Sequence, residues 1–450
     1  MPTSPNHFLS GALALFLALP GIGAEPPRQK ASYVVAVRKS TVDDPAWREV
    51  VTALEKKHGA TLAIYEASVE EVLPALQKHF PRHTCFVAPP TETTRVFVTQ
   101  VHQLTRKLDE DIYTDTRWGI LTGYDAANAL AIARETKPLT VHKVGSGTQF
   151  AMEMVEEGLW YDELVKNKMV RKSKGGTPET VQVEQDTTKA LVDMVNEYRP
   201  DCILTSGHAT ERDWQPGYAY PNGTFLSKAG KMFGHDMKKN QFEVNSTNPK
   251  VYLAIGNCLM GHIDGGDAMA LAWMNSAGVR QMVGYTVPTW FGYAGWGCLD
   301  YFIEQPGRYT LNEAFFANQH ALVNLLEKAP SKGLKFDRDV VAFYGDPAWE
   351  ARMAEMPKAW DQTLVAENGT YTFSIKPNRG EATFNPIDTN GSQRGGRPIV
   401  HFLPERLKNI QVVEGADLNP VITDDFILVP NPVNCDPKRE YKIVFKSVPF

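Results

Sequence analysis

The 450-residue chain has no Cys-x-x-Cys pair and only five cysteines, Cys85, Cys202, Cys258, Cys298 and Cys435. They are few and scattered, which excludes a disulfide-stapled scaffold and the usual zinc-ribbon spacings. Charge of either sign is not in excess: 47 Lys and Arg stand against 52 Asp and Glu, a net charge of −5. That balance gives no electrostatic reason for nucleic acid or an anionic membrane as partner. Beyond the N-terminus no stretch approaches the ~20 apolar residues that span a bilayer, and no repeat of solenoid period occurs. No Lys or Arg precedes the one apolar run, 8–20 (FLSGALALFLALP). Small residues follow it at 21–24, then the polar EPPRQK. The segment 1–24 therefore reads as a signal peptide with cleavage before Glu25, and the mature protein as secreted or periplasmic, with no membrane contact after cleavage. An odd cysteine count in an exported chain leaves at least one free thiol. That thiol is a nucleophile or a small buried hydrophobe, and counting alone favours the second.

What is present is α/β texture. In 31–135, strand-like runs (VVAVR, TLAIYEA, HTCFVAP, WGILTG) alternate with helical patterns. Asp44-Pro45 is an N-cap followed by Pro at the first helical position, and Trp47, Val50, Val51 and Leu54 follow at i, i+3, i+4, i+7. Ser68 and Glu71 form a capping-box pattern. A second block, 136–360, repeats the alternation: VHKVGSG, a helix capped by Asp186, CILTS, VYLAIG, a helix opened by Asp267, VRQMVGYTV, and a long helix capped by Thr310 and Glu313. Alternation of this kind predicts mainly parallel sheets covered on both faces. From 365 to 450 the period changes to two (Tyr371, Phe373, Ile375; Tyr441, Ile443, Phe445), with Gly, Pro, Asn and Asp between runs, predicting a small all-β sandwich.

Two strands of the second block end in chemically able residues. CILTS runs into Gly207-His208-Ala209, and VYLAIG into Asn257-Cys258. Ligands of open parallel sheets bind outside the carboxyl ends of the strands, so neighbouring strands would bring His208 and Cys258 to one edge. A thiol of ordinary pKa is only a few per cent thiolate at neutral pH, and a nearby imidazole raises that fraction and later protonates a leaving amine. The backbone N–H groups of Ala209 and Cys258 are the candidate oxyanion donors. In isolation, each residue is more often structural: a His after a strand is usually a surface residue, a Cys usually core.

The surrounding segments resemble the gingipain-like cysteine peptidases, relatives of caspases, legumains and clostripains. The resemblance lies in ILTSGHAT, LAIGNCLMG, DAMALAWMNSAG and VRQMVGYTVP, with weaker likeness in FYGDPAW (343–349) and DIYTDTRWGILTG (111–123). It implies two caspase-like α/β subdomains followed by an immunoglobulin-like sandwich, Cys258 as nucleophile and His208 as general acid/base. The implied activity is an exported endopeptidase with protein or peptide substrates and no required cofactor. One departure stands out: Ala209 replaces the family's Gly after the His, which matters if that position needs positive φ. A catalytically degenerate secreted binding or scaffold protein of the same fold is the alternative.

Cys258 and His262 lack a second Cys/His pair, so no metal is expected there. The family carries structural calcium, for which Asp264 and Asp267 offer carboxylates; the plainer reading makes Asp267 a helix N-cap and Asp264 a turn residue. Trp290 and Trp296 in the Gly-rich TWFGYAGWG, with Trp214, are candidates for a substrate cleft, or equally for packing between subdomains.

Overall fold

The computed structural model describes Met1 and residues 32–449; the signal-peptide reading and the Glu25 start lie outside them. Twelve strands form one sheet in the spatial order Thr61–Tyr65, Tyr33–Arg38, His83–Val87, Arg117–Leu121, Val341–Tyr344, Val279–Tyr285, Lys250–Ala254, Cys202–Thr205, Lys143–Ser146, Glu157–Tyr161, Lys168–Lys172, Glu179–Gln182. The two α/β blocks thus share a single sheet rather than each having its own. The joint is the Val341–Tyr344 strand, parallel to Arg117–Leu121 and antiparallel to Val279–Tyr285. Strand direction reverses there, so the carboxyl ends of the two blocks face opposite rims.

Local chemistry explains the elements. The Asp44 carboxylate caps Pro45–His58 by accepting from the Ala46 N–H, and Gly59 ends that helix at φ 65°. Both capping boxes form, at Ser68/Glu71 and Thr310/Glu313. Two expected caps differ. The helix Met269–Ser276 starts after Ala268, because the Asp267 carboxylate instead accepts from the Ala229 N–H at 2.7 Å. Asp186 precedes a short helix, Thr188–Asp193, that runs on as a π-turn to Tyr198.

At the joint, Asp346 is buried and accepts from Tyr33 Oη (2.8 Å), His58 Nε2 (2.7 Å) and Lys57 Nζ (2.9 Å). The Gly-Asp-Pro element therefore ties the second block to the first strand of the chain and to the helix Pro45–His58.

After residue 359 come two antiparallel sheets. One is ordered Trp360–Glu367, Thr370–Pro377, Tyr441–Pro449, Leu407–Glu414; the other Ile399–Phe402, Phe426–Val429, Val421–Ile422. Tyr371, Phe373, Ile375, Tyr441, Ile443 and Phe445 share a core with Ile399 and Ile427. Val400, Phe426 and Leu428 face the other way, into the core of the α/β body, where Phe426 stacks on His320 at 4.2 Å. The C-terminal region is thus packed against the α/β body. Among the described residues no helix is long and apolar enough to cross a membrane.

Candidate active site

The strands Cys202–Thr205 and Lys250–Ala254 are parallel neighbours, with Cys202 opposite Val251 and Thr205 opposite Ala254. Their carboxyl ends meet at one rim. The 49 residues between His208 and Cys258 leave the sheet as a four-stranded antiparallel excursion within 213–244 and return.

Asn257 holds the two turns together. Its Nδ2 donates to the Gly207 carbonyl at 3.1 Å, and its Oδ1 accepts from the Thr205 hydroxyl. Asn257 is fully buried, and removing a buried amide leaves its partners unsatisfied. Sequence reasoning placed Asn257 inside the motif without giving it a task; its partners lie fifty residues away in the chain.

The imidazole of His208 is exposed and stacks on Tyr218, ring centroids 4.7 Å apart. Cys258 is half-buried. Its sulfur accepts from the Thr289 N–H at 3.2 Å, and the Thr289 hydroxyl donates to the Asn257 carbonyl at 3.0 Å. No hydrogen bond joins His208 to Cys258 among the described residues, an arrangement common in free enzymes whose catalytic contacts tighten with substrate. The other cysteines are also unpaired: Cys85, Cys202 and Cys298 are buried and Cys435 is half-buried.

Backbone geometry bears on the Ala209 departure. The left-handed residue is Gly207, at φ 100°, and Ala209 is not among the residues of positive φ. An alanine methyl is therefore compatible with its conformation. Gln215 N donates to the His208 carbonyl and Thr210 N to the Asp213 carbonyl. The N–H groups of Ala209 and Cys258 donate to no group among the described residues. Leu259, directly after Cys258, has φ 55°, a strained conformation for a branched side chain of the kind that gathers at functional sites. Gly256 is required by close approach: a Cβ there would collide with Ser206 Oγ and lie 2.7 Å from the Trp296 ring.

The three tryptophans separate. Trp214 is 1% exposed, its indole N–H donating to the Ser206 carbonyl at 2.7 Å. Trp296 is 5% exposed beneath Gly256. Both support the turns from below and offer no face to a ligand. Trp290 is 58% exposed, one residue after the Thr289 that binds the Cys258 sulfur.

Glu163 escaped sequence reasoning, because nothing in its local sequence marks it. Its Oε1 accepts from the Thr148 hydroxyl at 2.6 Å, and its Oε2 is buried without a hydrogen-bond partner. Burial pushes the carboxyl up to about 7, against the Thr148 hydroxyl, which favours the anion. Oε2 lies 3.5 Å from where a Gly207 Cβ would be. The Glu163 carbonyl accepts from Tyr218 N (2.9 Å) and Ala219 N (3.0 Å).

Asp264 and Asp267 do not converge on a shared point: Asp264 pairs with Arg212 at 2.7 Å, and Asp267 binds the Ala229 N–H. The carboxylates that converge are Asp109, Asp111, Asp115 and Asp424, with oxygens within 4.8 Å of one another. Burial pulls His262 below its usual value, and its Nδ1 has no partner.

A scan against protein-family models finds no match, and no curated protein matches the sequence. Among solved structures, the chain is similar to the crystal structure of the Arg-specific cysteine proteinase gingipain R, with a TM-score of 0.48 and 11% identity over 94% of this chain and 100% of that one.

Proposed function

We propose that the chain is an exported cysteine endopeptidase that cleaves protein or peptide substrates with Cys258 and His208. The observation that carries this reading is one sheet edge that presents a half-buried thiol, an exposed imidazole and two unpartnered backbone N–H groups. His208 takes the proton of Cys258, and the thiolate attacks the scissile carbonyl carbon. The carbonyl oxygen becomes an oxyanion facing the N–H groups of Ala209 and Cys258. The C–N bond then breaks, the imidazolium gives its proton to the leaving amine, and a thioester remains. Water, deprotonated by His208, hydrolyses the thioester and frees the carboxylic acid; the sulfur leaves as thiolate and recovers the proton. Trp290 and Tyr218, both exposed, flank this edge and offer aromatic surface to substrate. The sequence resemblance to gingipain-like peptidases supports the same residue roles. No metal or organic cofactor is needed for these steps.

The test is incubation of purified protein with a peptide library beside Cys258→Ala and His208→Ala, with iodoacetamide labelling read by mass spectrometry. Hydrolysis is expected in the wild type alone, and Cys258 is expected to be alkylated ahead of the buried Cys85, Cys202 and Cys298. Labelling at Cys258 without any peptide cleavage would favour the degenerate scaffold protein.

A further inference from the structure

The C-terminal region sends one segment back to the active-site rim. Residues 385–397 lie between the strand Thr370–Pro377 and the strand Ile399–Phe402. Two buried arginines anchor them to the helix Tyr293–Phe302, the turn after it and the helix Leu311–Lys328. Arg394 donates to Asp300 at 2.6 Å and pairs with Glu304; Arg397 donates to Asn318 at 3.1 Å and lies over the Tyr293 ring at 3.6 Å. Ahead of these anchors the segment spans the rim. On the His208 side, Asn390 Nδ2 donates to Thr148 Oγ1 (3.1 Å) and to the Gln149 carbonyl (3.2 Å), and Gln149 Nε2 donates to Asp388 Oδ1 (3.3 Å). On the Cys258 side, Gly391 is packed so closely on the Trp296 ring that a Cβ would collide with it. Ser392 sits where a Cβ on Gly292 would be 2.7 Å away.

The hydrogen-bond directions at Thr148 are decisive. A hydroxyl has one proton. With Asn390 donating to Thr148 Oγ1, that proton is directed to Glu163 Oε1, 2.6 Å away. Glu163 in turn holds the Tyr218 N–H through its carbonyl, and the Tyr218 ring lies on His208. A continuous set of contacts therefore runs from the C-terminal region to the imidazole.

We propose that the C-terminal region is a working part of the active site, and that Asn390 is a positioning residue that orients Glu163 through Thr148 and so fixes Tyr218 against His208. The proposal rests on the peptidase reading for its rate effects, but Cys258 alkylation reads the same rim without any substrate.

The experiment compares wild type, Asn390→Ala, Thr148→Val, Thr148→Ser and, as control, the exposed neighbour Thr389→Ala. Peptide hydrolysis and the rate of iodoacetamide alkylation of Cys258 are each followed from pH 5 to 9. Asn390→Ala and Thr148→Val are expected to lower kcat about 3- to 10-fold with little change in KM, the size of one hydrogen bond. Thr148→Val should also move the acidic limb of the two profiles to higher pH, because Glu163 loses a donor that favours its anion; Asn390→Ala should move it the same way by less, because the Thr148 proton is then no longer directed to Glu163. Thr148→Ser should restore the wild-type profile, and the double variant Asn390→Ala/Thr148→Val should lose no more than Thr148→Val alone. Profiles of Asn390→Ala and Thr148→Val that superimpose on those of wild type and Thr389→Ala would overturn the proposal. If the wild type cleaves no peptide, the peptidase reading falls, and the alkylation profiles still decide the role of Asn390.

Discussion

The two α/β blocks share one sheet and one pattern of parallel strands, yet their carboxyl rims differ in kind. At the rim of the first block, the Glu92 side chain is 8% exposed and fully engaged: it accepts from Arg38 Nε and Tyr65 Oη at 2.7 Å each, and from Thr41 at 3.3 Å. Around Glu92 the polar groups satisfy one another, while Thr122 Oγ1 at the same rim is buried without a partner. At the rim of the second block, two N–H groups lack partners, Leu259 is held at φ 55° and Glu163 keeps one buried oxygen unpaired. The same architecture engages the Glu92 carboxylate fully at one rim and leaves backbone N–H groups free for a ligand at the other. Function is argued from those free groups, because the fold alone hosts both outcomes.

The largest expected effect separates the rims outright. Cys258→Ala should lower turnover by more than roughly 10⁴-fold while leaving Tm within about 2 °C, since a half-buried thiol contributes little packing. Glu92→Gln should do the reverse, with kcat/KM unchanged and Tm lower by roughly 2–6 °C, because the Arg38 guanidinium loses its anion. A rate loss in Glu92→Gln would break the comparison. Thermal melts and progress curves on the same preparations decide it.

Asn257→Ala comes next and touches both properties. It should cost about 1–3 kcal/mol by leaving the Gly207 carbonyl buried and unpaired and the Thr205 hydroxyl with Tyr252 Oη as its one remaining partner. By letting the His and Cys turns drift apart it should lower kcat/KM roughly 10- to 100-fold. Denaturant unfolding and progress curves measure the two losses separately.

Asp346, between the two blocks, predicts a pH dependence. Burial alone would raise its carboxyl, but the hydrogen bond from His58 and the charge of Lys57 outweigh burial and hold it well below the usual carboxylate range. A lowered folded-state value means that this stabilisation is present above the unfolded pKa of about 3.9 and is lost as pH falls through and below it. Asp346→Asn should therefore lower Tm at pH 7, and the gap to wild type should shrink below about pH 4. A gap that stays constant from pH 7 to 3 would refute this.

The smallest effect tests strain. Leu259→Asn should raise Tm by about 1–2 °C, since Asn tolerates the left-handed region better than Leu. A melt in which Tm falls instead would show that the half-buried leucine gives more in packing than its backbone costs.

Much of the frame was legible in the sequence because it is set by local physics. Caps at Asp44, Ser68 and Thr310 form from side chains within three residues, and apolar periodicity is read directly from spacing. The Asp267 cap failed for a non-local reason, the competing Ala229 N–H. The sharing of one sheet was not legible, because the reversal depends on which edge the Val341–Tyr344 strand joins, and nothing in a strand's own residues records its neighbour's direction. The tryptophans show the same limit: spacing alone did not separate the exposed Trp290 from the buried Trp214 and Trp296.

The sequence by itself determined the chemical parts: a His and a Cys, each directly after an apolar strand with glycines beside it, and the switch from α/β to period-two texture near 365. Only the tertiary structure decided that those strands are parallel neighbours, that Gly207 rather than Ala209 carries the positive φ, and that Asn257, Glu163 and Asn390 converge on the same rim. The physical reason is range. Caps, turns and periodicity act over a few residues, whereas the contacts that assemble this rim reach as far as 50 positions between Asn257 and Gly207 and 242 between Asn390 and Thr148, and these exist only once the whole core has formed.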